Sequence, residues 1–411
     1  MNIAIIGGGA AGFFSAINLK EMIPDCEVTI FESSHSALSK VLVSGGGRCN
    51  LTNSFEGVGE LSQVYPRGHR LIKQVFRLFD YRDTVRWFES RGVRLVTQSD
   101  YCLFPASQQA SQIVDTFLDL SHSLGVEVCY GHKVTRIDST GLGFDISFAD
   151  RALSSLHFDR VIVTVGGKPR SEGFSFLDSL SLKVSPPVPS LFSFNIPDDS
   201  ITSLMGSVVD CASVSIVGMK YRGTGALLVT HWGISGPAVL RLSSYAAREL
   251  SQSDYCATVS VNWVGQSNSQ VVFDHLQQLV RDCGSRLVTN IRPFNIPTRL
   301  WNLLVEKAGI PSERRFSEIG TKGLNRLVNL LTNDQYRIGG RSRFREEFVT
   351  CGGVSLSQVN LSTMESRAYR GLYFAGEVLD VDALTGGFNL QGAWSMGYAA
   401  ACSIANSIEK G

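Results

Sequence analysis

The stretch "NIAIIGGGAAGFFSAINLK", from Asn2 to Lys20, decides the fold. The apolar run from Ile3 to Ile6 predicts a short buried strand, and the apolar residues beyond the glycines predict a helix. Gly7, Gly9 and Gly12 occupy the junction with the spacing GxGxxG. In a dinucleotide-binding unit the first glycine makes the turn, the second lets the backbone approach a pyrophosphate, and the third brings the helix close to the sheet. The N–H groups at the helix N-terminus would then bind the phosphates.

A second predicted strand, "EVTIFE", ends at Glu32, about 20 residues beyond Gly12. A carboxylate at this place can accept hydrogen bonds from both hydroxyls of an adenosine ribose. The chain has 40 glycines, so the triplet could arise by chance. The strand before it, the helix after it and the acid at the right distance favour a bound dinucleotide. The motif alone does not separate NAD from FAD.

Later glycine-rich segments favour FAD, which is longer than NAD and needs more backbone contacts than one phosphate loop supplies. Beyond the ribose acid the chain runs through Ser33 and Lys40 into "VLVSGGGRCNLTN", Val41 to Asn53. Its three adjacent glycines indicate a loop on which cofactor lies, since such a run is costly to order. "VIVTVGGKP", Val161 to Pro169, predicts a buried strand that ends at Thr164 and a second close backbone approach.

The C-terminal stretch "GLYFAGEVLDVDALTGGFNLQGAWSMGYAAACSIA" supports the same interpretation. It predicts a buried strand from Leu372 to Ala375, a double glycine at Gly386–Gly387, and a long helix from about Asn389. The N-terminus of that helix would face the negative charge that develops at N1 and O2 of a reduced flavin. The alternative is a helix that only packs on the sheet, and both can hold. A plain NAD dehydrogenase, the other candidate for the fold, would leave this helix without a ligand.

Taken together, the chain resembles the HI0933-like (YhiN group) flavoproteins, two-dinucleotide-type FAD enzymes also described as NAD(P)/FAD-dependent oxidoreductases. The matching segments span the chain: "IIGGGAAGFFSAI", "KVLVSGGGRCNLTN", "LLVTHWGISGPAVL", "VTCGGVSL" and "GLYFAGEVLDVDALTGGFNLQGAWSMG". The resemblance implies FAD contacts at Gly7, Gly9, Ala10, Ala11, Gly12, Glu32, Lys40, Gly47, Arg48, Asn50, Val134, Gly167, Gly376, Glu377, Gly387 and Asn389. One departure is Cys351, where a small residue without a thiol is expected.

The resemblance also implies an α/β fold, with a Rossmann-type FAD-binding domain formed by both chain ends. We expect that domain at residues 1–187 and 349–411, an inserted β-rich domain at 188–270 with 336–348, and a helical domain at 271–335. The residues agree, because "ASVSIVG" and "ATVSVNW" alternate like antiparallel strands. "VFDHLQQLVRDCG" and "GLNRLVNLLT" have the three-and-four spacing of amphipathic helices.

Composition narrows the possible functions. A net charge of +1 in 411 residues predicts neither nucleic acid nor an anionic membrane as a partner. The nine cysteines form no CxxC pair and no zinc-type cluster, which predicts reduced thiols and no metal. Since the start has no signal-like segment and no apolar run is long enough to span a membrane, we expect a cytoplasmic protein. The sequence does not fix an oligomeric state.

Few residues outside the cofactor loops are candidates for catalysis. His231, in "VTHWGISGP", is a weak candidate for a general acid, and a structural histidine in a turn is the favoured interpretation. Arg48 could bind a phosphate or a substrate carboxylate. Cys49 is interpreted as an ordinary packed thiol. The arginines from Arg337 to Arg345 are interpreted as a solvated face, with an anion site as the alternative.

The sequence therefore predicts a FAD-dependent oxidoreductase that acts on a small organic substrate. The resemblance implies that the reaction could be reduction of a conjugated C=C bond. Because only one complete dinucleotide fingerprint is present, NAD(P)H would bind as a transient donor and not permanently. Alternatives are a flavin oxidase of an amine-type substrate and a flavin redox sensor without an enzymatic role. A flavin-dependent enzyme that modifies RNA is disfavoured by the neutral net charge.

Overall fold

The computed structural model describes residues 1–150, 152–197, 199–340 and 349–408. The chain forms two compact units, one of Met1–Val188 with Val349–Gly411 and one of Pro189–Phe348. The first unit is therefore discontinuous in sequence, and the second is a single insertion into it.

The strands, in chain order, are β1 Asn2–Ile6, β2 Glu27–Phe31, β3 Thr52–Asn53, β4 Leu95–Thr97, β5 Cys102–Pro105, β6 Glu127–Cys129, β7 Val134–Ser139, β8 Phe144–Phe148, β9 Leu156–Phe158, β10 Arg160–Val163, β11 Val184–Ser190, β12 Phe194–Asn195, β13 Val208–Ile216, β14 Arg222–Thr230, β15 Gly233–Ser235, β16 Cys256–Asn262, β17 Asp334–Gly339, β18 Val349–Val354 and β19 Leu372–Phe374.

The α-helices are α1 Ala10–Met22, α2 Ser39–Gly47, α3 His69–Val75, α4 Tyr81–Glu89, α5 Ala110–Ser123, α6 Pro237–Tyr245, α7 Ala247–Gln252, α8 Ser269–Cys283, α9 Thr298–Lys307, α10 Gly320–Asn333 and α11 Phe388–Ile408. Short 3₁₀ helices lie at Leu61–Gln63, Ser171–Leu180, Ser200–Leu204, Val288–Asn290, Pro293–Asn295, Phe316–Glu318 and Leu356–Gln358.

A five-stranded parallel sheet forms the centre of the first unit, in the order β19-β10-β1-β2-β6. Strand β1 lies in the middle, where Ile3 pairs with Val28 on one side and Arg160 on the other. Its apolar residues are completely buried, because helices cover parallel sheets on both faces. Helix α1 follows β1 directly and packs against α11. The Rossmann-type fold predicted from both chain ends is thus confirmed.

Smaller sheets flank this centre. Strands β3, β5 and β4 form one antiparallel sheet, and β7, β8 and β9 form another. Strands β11 and β18 form a two-stranded sheet. The sheet of β3, β5 and β4 contains the segment that follows the triple glycine. This sheet is therefore close to the candidate site described below.

The second unit is built on a six-stranded antiparallel sheet in the order β12-β15-β14-β13-β16-β17. Residues of the sheet and of helices α6 to α10 share one hydrophobic core, in which Val261, Leu304 and Leu327 are fully buried. A buried carboxylate, Asp334, accepts hydrogen bonds from Trp263 and Lys307 at the start of β17. The division of this unit into a β-rich and a helical domain stays a prediction.

Two local features differ from the sequence pattern. The apolar spacing of "GPAVLRLSSYAAREL" predicts one helix, but the structure is interrupted at Ala246, so that α6 and α7 are separate. The predicted basic stretch begins as strand β17, which includes Arg337 and pairs with β16. Arg341, Arg343 and Arg345 lie outside the described residues.

We predict that Gly12→Ala destabilises the first unit. A β-carbon at Gly12 would lie 2.1 Å from the Gly7 carbonyl oxygen and 2.9 Å from Thr164 Oγ1. Relieving this clash requires α1 to move off the sheet, and overpacking of this kind costs at least about 1–3 kcal/mol. Thermal or urea unfolding of the purified variant measures the loss.

Gly141→Ala is the matched control, because nothing lies within 4 Å of the added carbon and φ there is not positive. Its free energy of unfolding should stay within about 0.5 kcal/mol of the parent. Equal stabilities for the two variants would contradict the close packing at Gly12.

Candidate functional site

The three fingerprint glycines have three different surroundings. Gly7 has a φ of +110°, and a β-carbon there would lie 2.7 Å from the Thr164 carbonyl oxygen. Gly12 lies against Gly7 in the same crowded crossing. Gly9, by contrast, has no atom within 4 Å of the place where a β-carbon would stand. Because Gly9 precedes the first turn of α1, this open space lies where N–H groups of a helix N-terminus are free. The crowding explains why glycine is needed at Gly7 and Gly12, and the approach of a pyrophosphate to Gly9 stays a prediction.

Ala10 and Ala11 form the first residues of α1, and Ala11 is buried. Thr164 is also buried and faces the protein, because its hydroxyl donates to the carbonyl oxygens of Ile6 and Gly7 at 3.1 and 2.8 Å. The Thr164 hydroxyl therefore stabilises the turn after β1. Its predicted contact with the cofactor stays a prediction.

Glu32 follows the last residue of β2 and is held next to the fingerprint loop. Its Oε2 accepts a hydrogen bond from the Gly8 N–H at 2.8 Å, and its Oε1 accepts one from the Ser34 N–H at 2.8 Å. The Ser33 hydroxyl lies 3.3 Å from the same Oε1. The carboxylate thus has a fixed position at the carboxyl end of the parallel sheet, where dinucleotides bind in folds of this kind.

The triple-glycine loop ends helix α2 in a left-handed conformation. Gly45, Gly46 and Gly47 have φ values of +57°, +69° and +81°, which side chains disfavour. A β-carbon on Gly45 would also lie 2.8 Å from the Asn50 nitrogen, whereas Gly46 and Gly47 face open space. The backbone conformation is therefore the first reason for the glycines, and a cofactor lying on them is not needed to explain them. The open side of Gly46 and Gly47 leaves room for one.

Arg48 and Cys49 complete this loop. The Arg48 guanidinium donates to the Gly45 carbonyl at 3.1 Å and stacks on the Phe104 ring, 4.4 Å from its centroid. It is exposed, so an anion could still reach it. Cys49 is fully buried, and this burial raises the pKa of its thiol to about 12. A thiol in this state is a packed group rather than a reactive one.

Four predicted residues from distant parts of the chain meet at an ion pair. The Lys40 ammonium lies 2.7 Å from Glu377 Oε2, and the Gly167 N–H donates to the same oxygen at 3.5 Å. Gly376, with a φ of +82°, makes the turn that places Glu377 there. These residues come from α2, the loop after β10 and the loop after β19.

Lys168 belongs to the same neighbourhood and was missed from sequence. Its side chain is half-buried, and burial lowers the pKa of its ammonium. The charge of Glu32 opposes that shift, while Lys40 and Lys133 reinforce it. Its position directly after Gly166–Gly167 was the signal available in the sequence.

The amino end of α11 contacts the strand that follows the triple glycine. With its amide oriented so that both ends find partners, Asn50 donates to the Thr52 carbonyl at 3.1 Å and accepts from the Gly387 N–H at 3.2 Å. The side-chain amide of Asn389 makes two hydrogen bonds with the backbone of Ala383, at 2.9 and 3.0 Å, and its contact with FAD stays a prediction. It orders the loop before the helix.

Three further predicted positions can be placed. Val134 is buried at the first position of β7. Cys351 is fully buried in β18, beside glycines whose added β-carbons would meet backbone atoms at 2.5 and 2.4 Å. His231 lies in the exposed turn between β14 and β15 of the second unit, with its ring 4.4 Å from that of Trp232. Strand β15, between His231 and α6, was missed from sequence.

The residues of the first unit fit a dinucleotide with a second binding region. The N-termini of α1 and α11 offer backbone donors at separate places. Gly9, Gly46 and Gly47 leave open space, and the Glu32 carboxylate offers a fixed acceptor. Among the residues that the structure covers, no group of three or more His, Cys, Asp or Glu side chains is arranged to hold a metal ion. Within the same residues, no helix has the length and apolarity required to cross a membrane.

Comparison with protein families decides between the candidates for this site. The family model described as the HI0933-like protein Rossmann domain matches residues 1–403. The chain belongs to the HI0933-like family. It is a FAD-dependent oxidoreductase, as the sequence predicted, and the family and its structural neighbours support FAD as the cofactor.

Relatives of known function are similar over almost their full length. A 3-dehydro-bile acid delta(4,6)-reductase of Clostridium scindens is 28% identical, with 97% of each chain covered. A ribosomal RNA dihydrouridine synthase of Haemophilus influenzae is also 28% identical, again with 97% of each chain covered.

Solved structures show the same fold at low identity. The 3-ketosteroid delta1-dehydrogenase of Sterolibacterium denitrificans has a TM-score of 0.51 and 11% identity, with 98% of this chain and 99% of that chain covered. The quinol fumarate reductase flavoprotein of E. coli has a TM-score of 0.50 and 14% identity, with coverages of 99% and 70%. At these identities the likeness concerns the fold alone.

We predict that Gly9→Ala weakens FAD binding at least tenfold without destabilising the protein. The added methyl group meets no protein atom within 4 Å, and it enters the space that the pyrophosphate needs. FAD titration of the apoprotein, followed by flavin fluorescence, measures the affinity, and thermal unfolding without FAD measures the stability. Unchanged affinity would place the pyrophosphate elsewhere.

We predict that Cys49 resists alkylation in the folded protein. Its thiol has a pKa near 12 and remains protonated at pH 8, where only thiolates react rapidly. Iodoacetamide at pH 8, followed by peptide mass spectrometry, should label the exposed Cys211 and Cys256 and leave Cys49 unmodified until the protein is unfolded. Rapid labelling of native Cys49 would instead support a redox role.

Proposed function

We propose that this flavoenzyme reduces a carbon–carbon double bond conjugated to a carbonyl group, with NADH or NADPH as the donor. The observation that carries the proposal is the reaction shared by the two relatives. A delta(4,6)-reductase of a 3-dehydro-bile acid and a dihydrouridine synthase both saturate such a bond, although one acts on a steroid and the other on a pyrimidine. The proposal for this chain therefore takes over the shared reaction step and neither of the two substrates.

The overall reaction is balanced by one hydride and one proton. The hydride leaves NAD(P)H, which becomes NAD(P)⁺, and reaches the carbon β to the carbonyl; a proton adds at the α carbon. Bound FAD would accept the hydride from the donor and pass it to the substrate. Since the sequence contains one complete GxGxxG fingerprint, the donor would bind transiently and not in a second domain of its own.

The residues of this chain would bind and orient the cofactor. The N-terminus of α1, with Gly9, would bind the pyrophosphate, and Glu32 would bind the adenosine ribose. Lys40, paired with Glu377, would lie beside the cofactor and partly offset its negative charge. The amino end of α11 would stabilise negative charge on the flavin pyrimidine during reduction. The remaining predicted contacts stay proposals of the same kind.

His231 stays a weak candidate for the proton donor. Its exposure in a turn fits access to solvent protons. His231→Gln, compared with the parent for double-bond reduction across pH 5–9, would show a donor role through loss of the alkaline limb of the rate profile.

A uridine of RNA is the second candidate substrate, because one of the two relatives bears that name at equal identity. The expectation of no nucleic-acid partner therefore stays a prediction. An amine-type oxidase and a redox sensor are further alternatives, and neither has a namesake among these relatives.

We predict rapid anaerobic bleaching of the flavin by NADH or NADPH, followed by rapid reoxidation with a conjugated enone. A steroid 4,6-dien-3-one should restore the oxidised spectrum and gain two hydrogen atoms, measured by mass spectrometry. The matched saturated 3-ketone should do neither. Unmodified ribosomal RNA is the parallel test for the second candidate.

Each outcome separates the alternatives. If RNA reoxidises the reduced flavin and the dienone does not, the substrate is a pyrimidine of RNA and not a steroid-like enone. Flavin that resists both nicotinamides but is bleached by an amine would identify an oxidase. Flavin that is reduced but reoxidised by none of these acceptors would overturn the reductase proposal.

A further inference from the structure

A buried glutamine in the first turn of α11 has all of its amide atoms engaged. Gln391 is completely buried. Its Oε1 accepts hydrogen bonds from the hydroxyls of Thr52, at 2.5 Å, and Thr84, at 2.9 Å. Its Nε2 donates to the Ser395 hydroxyl at 2.9 Å. Neither the fingerprint nor the FAD contacts predicted from sequence include this residue.

These bonds join the helix to two other elements of the first unit. Thr52 belongs to β3, which follows the triple-glycine loop, and Thr84 belongs to α4. A second buried bond reinforces the first connection, since Trp394 Nε1 donates to the Leu51 carbonyl at 3.0 Å. The amino end of α11 therefore has a fixed position relative to β3.

The hydrogen bonds of Gln391 complete a closed ring of hydrogen bonds that includes Gly387. The Gln391 N–H donates to the Gly387 carbonyl at 3.0 Å, and its side chain holds Thr52. The Thr52 carbonyl accepts from Asn50, which in turn accepts from the Gly387 N–H. The fit is close, because a β-carbon on Gly387 would lie 2.3 Å from the Thr52 carbonyl oxygen. Any movement of Gln391 changes the direction of the first-turn N–H groups.

The ordinary function of such a network is to stabilise a buried core, and a fully satisfied one also makes the structure rigid. The location adds a further role. The helix N-terminus that Gln391 fixes carries a partial positive charge, which falls off within one turn. Its effect on a neighbouring negative charge therefore depends strongly on where the first turn lies.

We propose that Gln391 is a positioning residue for the flavin, which sets how strongly the protein prefers reduced over oxidised FAD. This inference rests on the FAD site proposed at the amino end of α11 and not on the identity of the substrate. Gln391 itself contacts the surrounding protein; it acts through Gly387 and the N–H groups of the first turn.

The preference for reduced FAD is a measurable ratio. The midpoint potential of bound FAD changes with the ratio of the affinities for the two redox forms, and a tenfold change is about 30 mV for a two-electron couple. If the first turn of α11 moves or tilts, reduced FAD loses more stabilisation than oxidised FAD. The reason is that reduction adds negative charge to the pyrimidine ring of the flavin.

The experiment compares Gln391→Leu with Thr84→Val in the FAD-loaded protein without substrate. The midpoint potential is measured by equilibration with a reference dye, and the affinity for oxidised FAD by fluorescence titration. Gln391→Leu should lower the affinity ratio about tenfold, which is a midpoint about 30 mV more negative. Thr84→Val removes one of the two hydroxyls on Oε1 and should shift the midpoint in the same direction by less.

Gln391→Glu separates charge from position. A carboxylate can still accept hydrogen bonds from Thr52 and Thr84, and it adds a negative charge behind the first turn. The midpoint should then fall further than in Gln391→Leu. Asn18→Leu is the control, because Asn18 is a buried amide whose bond, at 2.7 Å to the Phe14 carbonyl, stays within α1. It should lower the melting temperature and leave the midpoint unchanged.

A Gln391→Leu protein that binds FAD with the parent midpoint would overturn the proposal and leave a purely structural role. If the midpoint of Asn18→Leu shifts as far as that of Gln391→Leu, the proposal is also overturned. The shift would then result from general destabilisation of the protein and not from the position of α11. If Gln391→Leu fails to fold, Thr84→Val decides by the same criterion. Absence of bound FAD in the parent would instead refute the FAD site, whereas failure to reduce enones would leave this result intact.

Discussion

The first unit depends on one close crossing, in which Gly12 of α1 lies against the Gly7 carbonyl. The contact brings the helix onto the middle of the parallel sheet, and it places the N-terminus of α1 at the edge where β1 ends. A second close contact continues from it, because a β-carbon on Gly397 would lie 2.9 Å from the Ala11 carbonyl oxygen. Ser15 adds hydrogen bonds to Ala11 and Gly397. The two chain ends are thus joined through backbone that allows no side chain between them.

The parts of the site that follow local chain geometry could be predicted from the sequence. A tight turn, a free helix N-terminus and an acid after the second strand each have a fixed spacing, so the sequence indicated that Gly9 precedes α1 and that Glu32 follows β2. The contacts of both residues with FAD stay predictions. The hydrogen bonds of Gln391 depend on residues distant in sequence, and no local spacing indicates them. Lys168 had a local signal in its position directly after Gly166–Gly167, but its surroundings again come from distant residues. Asn389 was assigned to the cofactor by resemblance, and that contact stays a prediction. The hydrogen bonds by which its amide orders the preceding loop had no local signal in the sequence. The interruption of the predicted helix at Ala246 was likewise missed, because propensity and apolar spacing continue through it.

The electrostatic design of the cofactor region combines fixed dipoles with few unbalanced charges. In the proposed site, helix N-termini and backbone N–H groups would supply positive potential, Lys40 is paired with Glu377, and Lys168 is partly desolvated. Dipoles that are already oriented need no rearrangement when charge moves, which suits a site where electrons arrive and leave repeatedly. The substrate is then free to differ among members of the family, as the steroid and pyrimidine relatives illustrate.

The insertion of a continuous second unit into a discontinuous first one has a consequence for the order of events during synthesis. Strand β10 pairs on one side with β1, and its other side remains an open edge until β19 is made. The buried face of α1 likewise waits for α11. The ribosome therefore completes residues 189–348, which share their own core, before the first unit can close. During that interval a parallel sheet with an unpaired edge is exposed to aggregation and to chaperones. The segment from β18 to α11 thus ends this period, and the proposed cofactor site is completed only then.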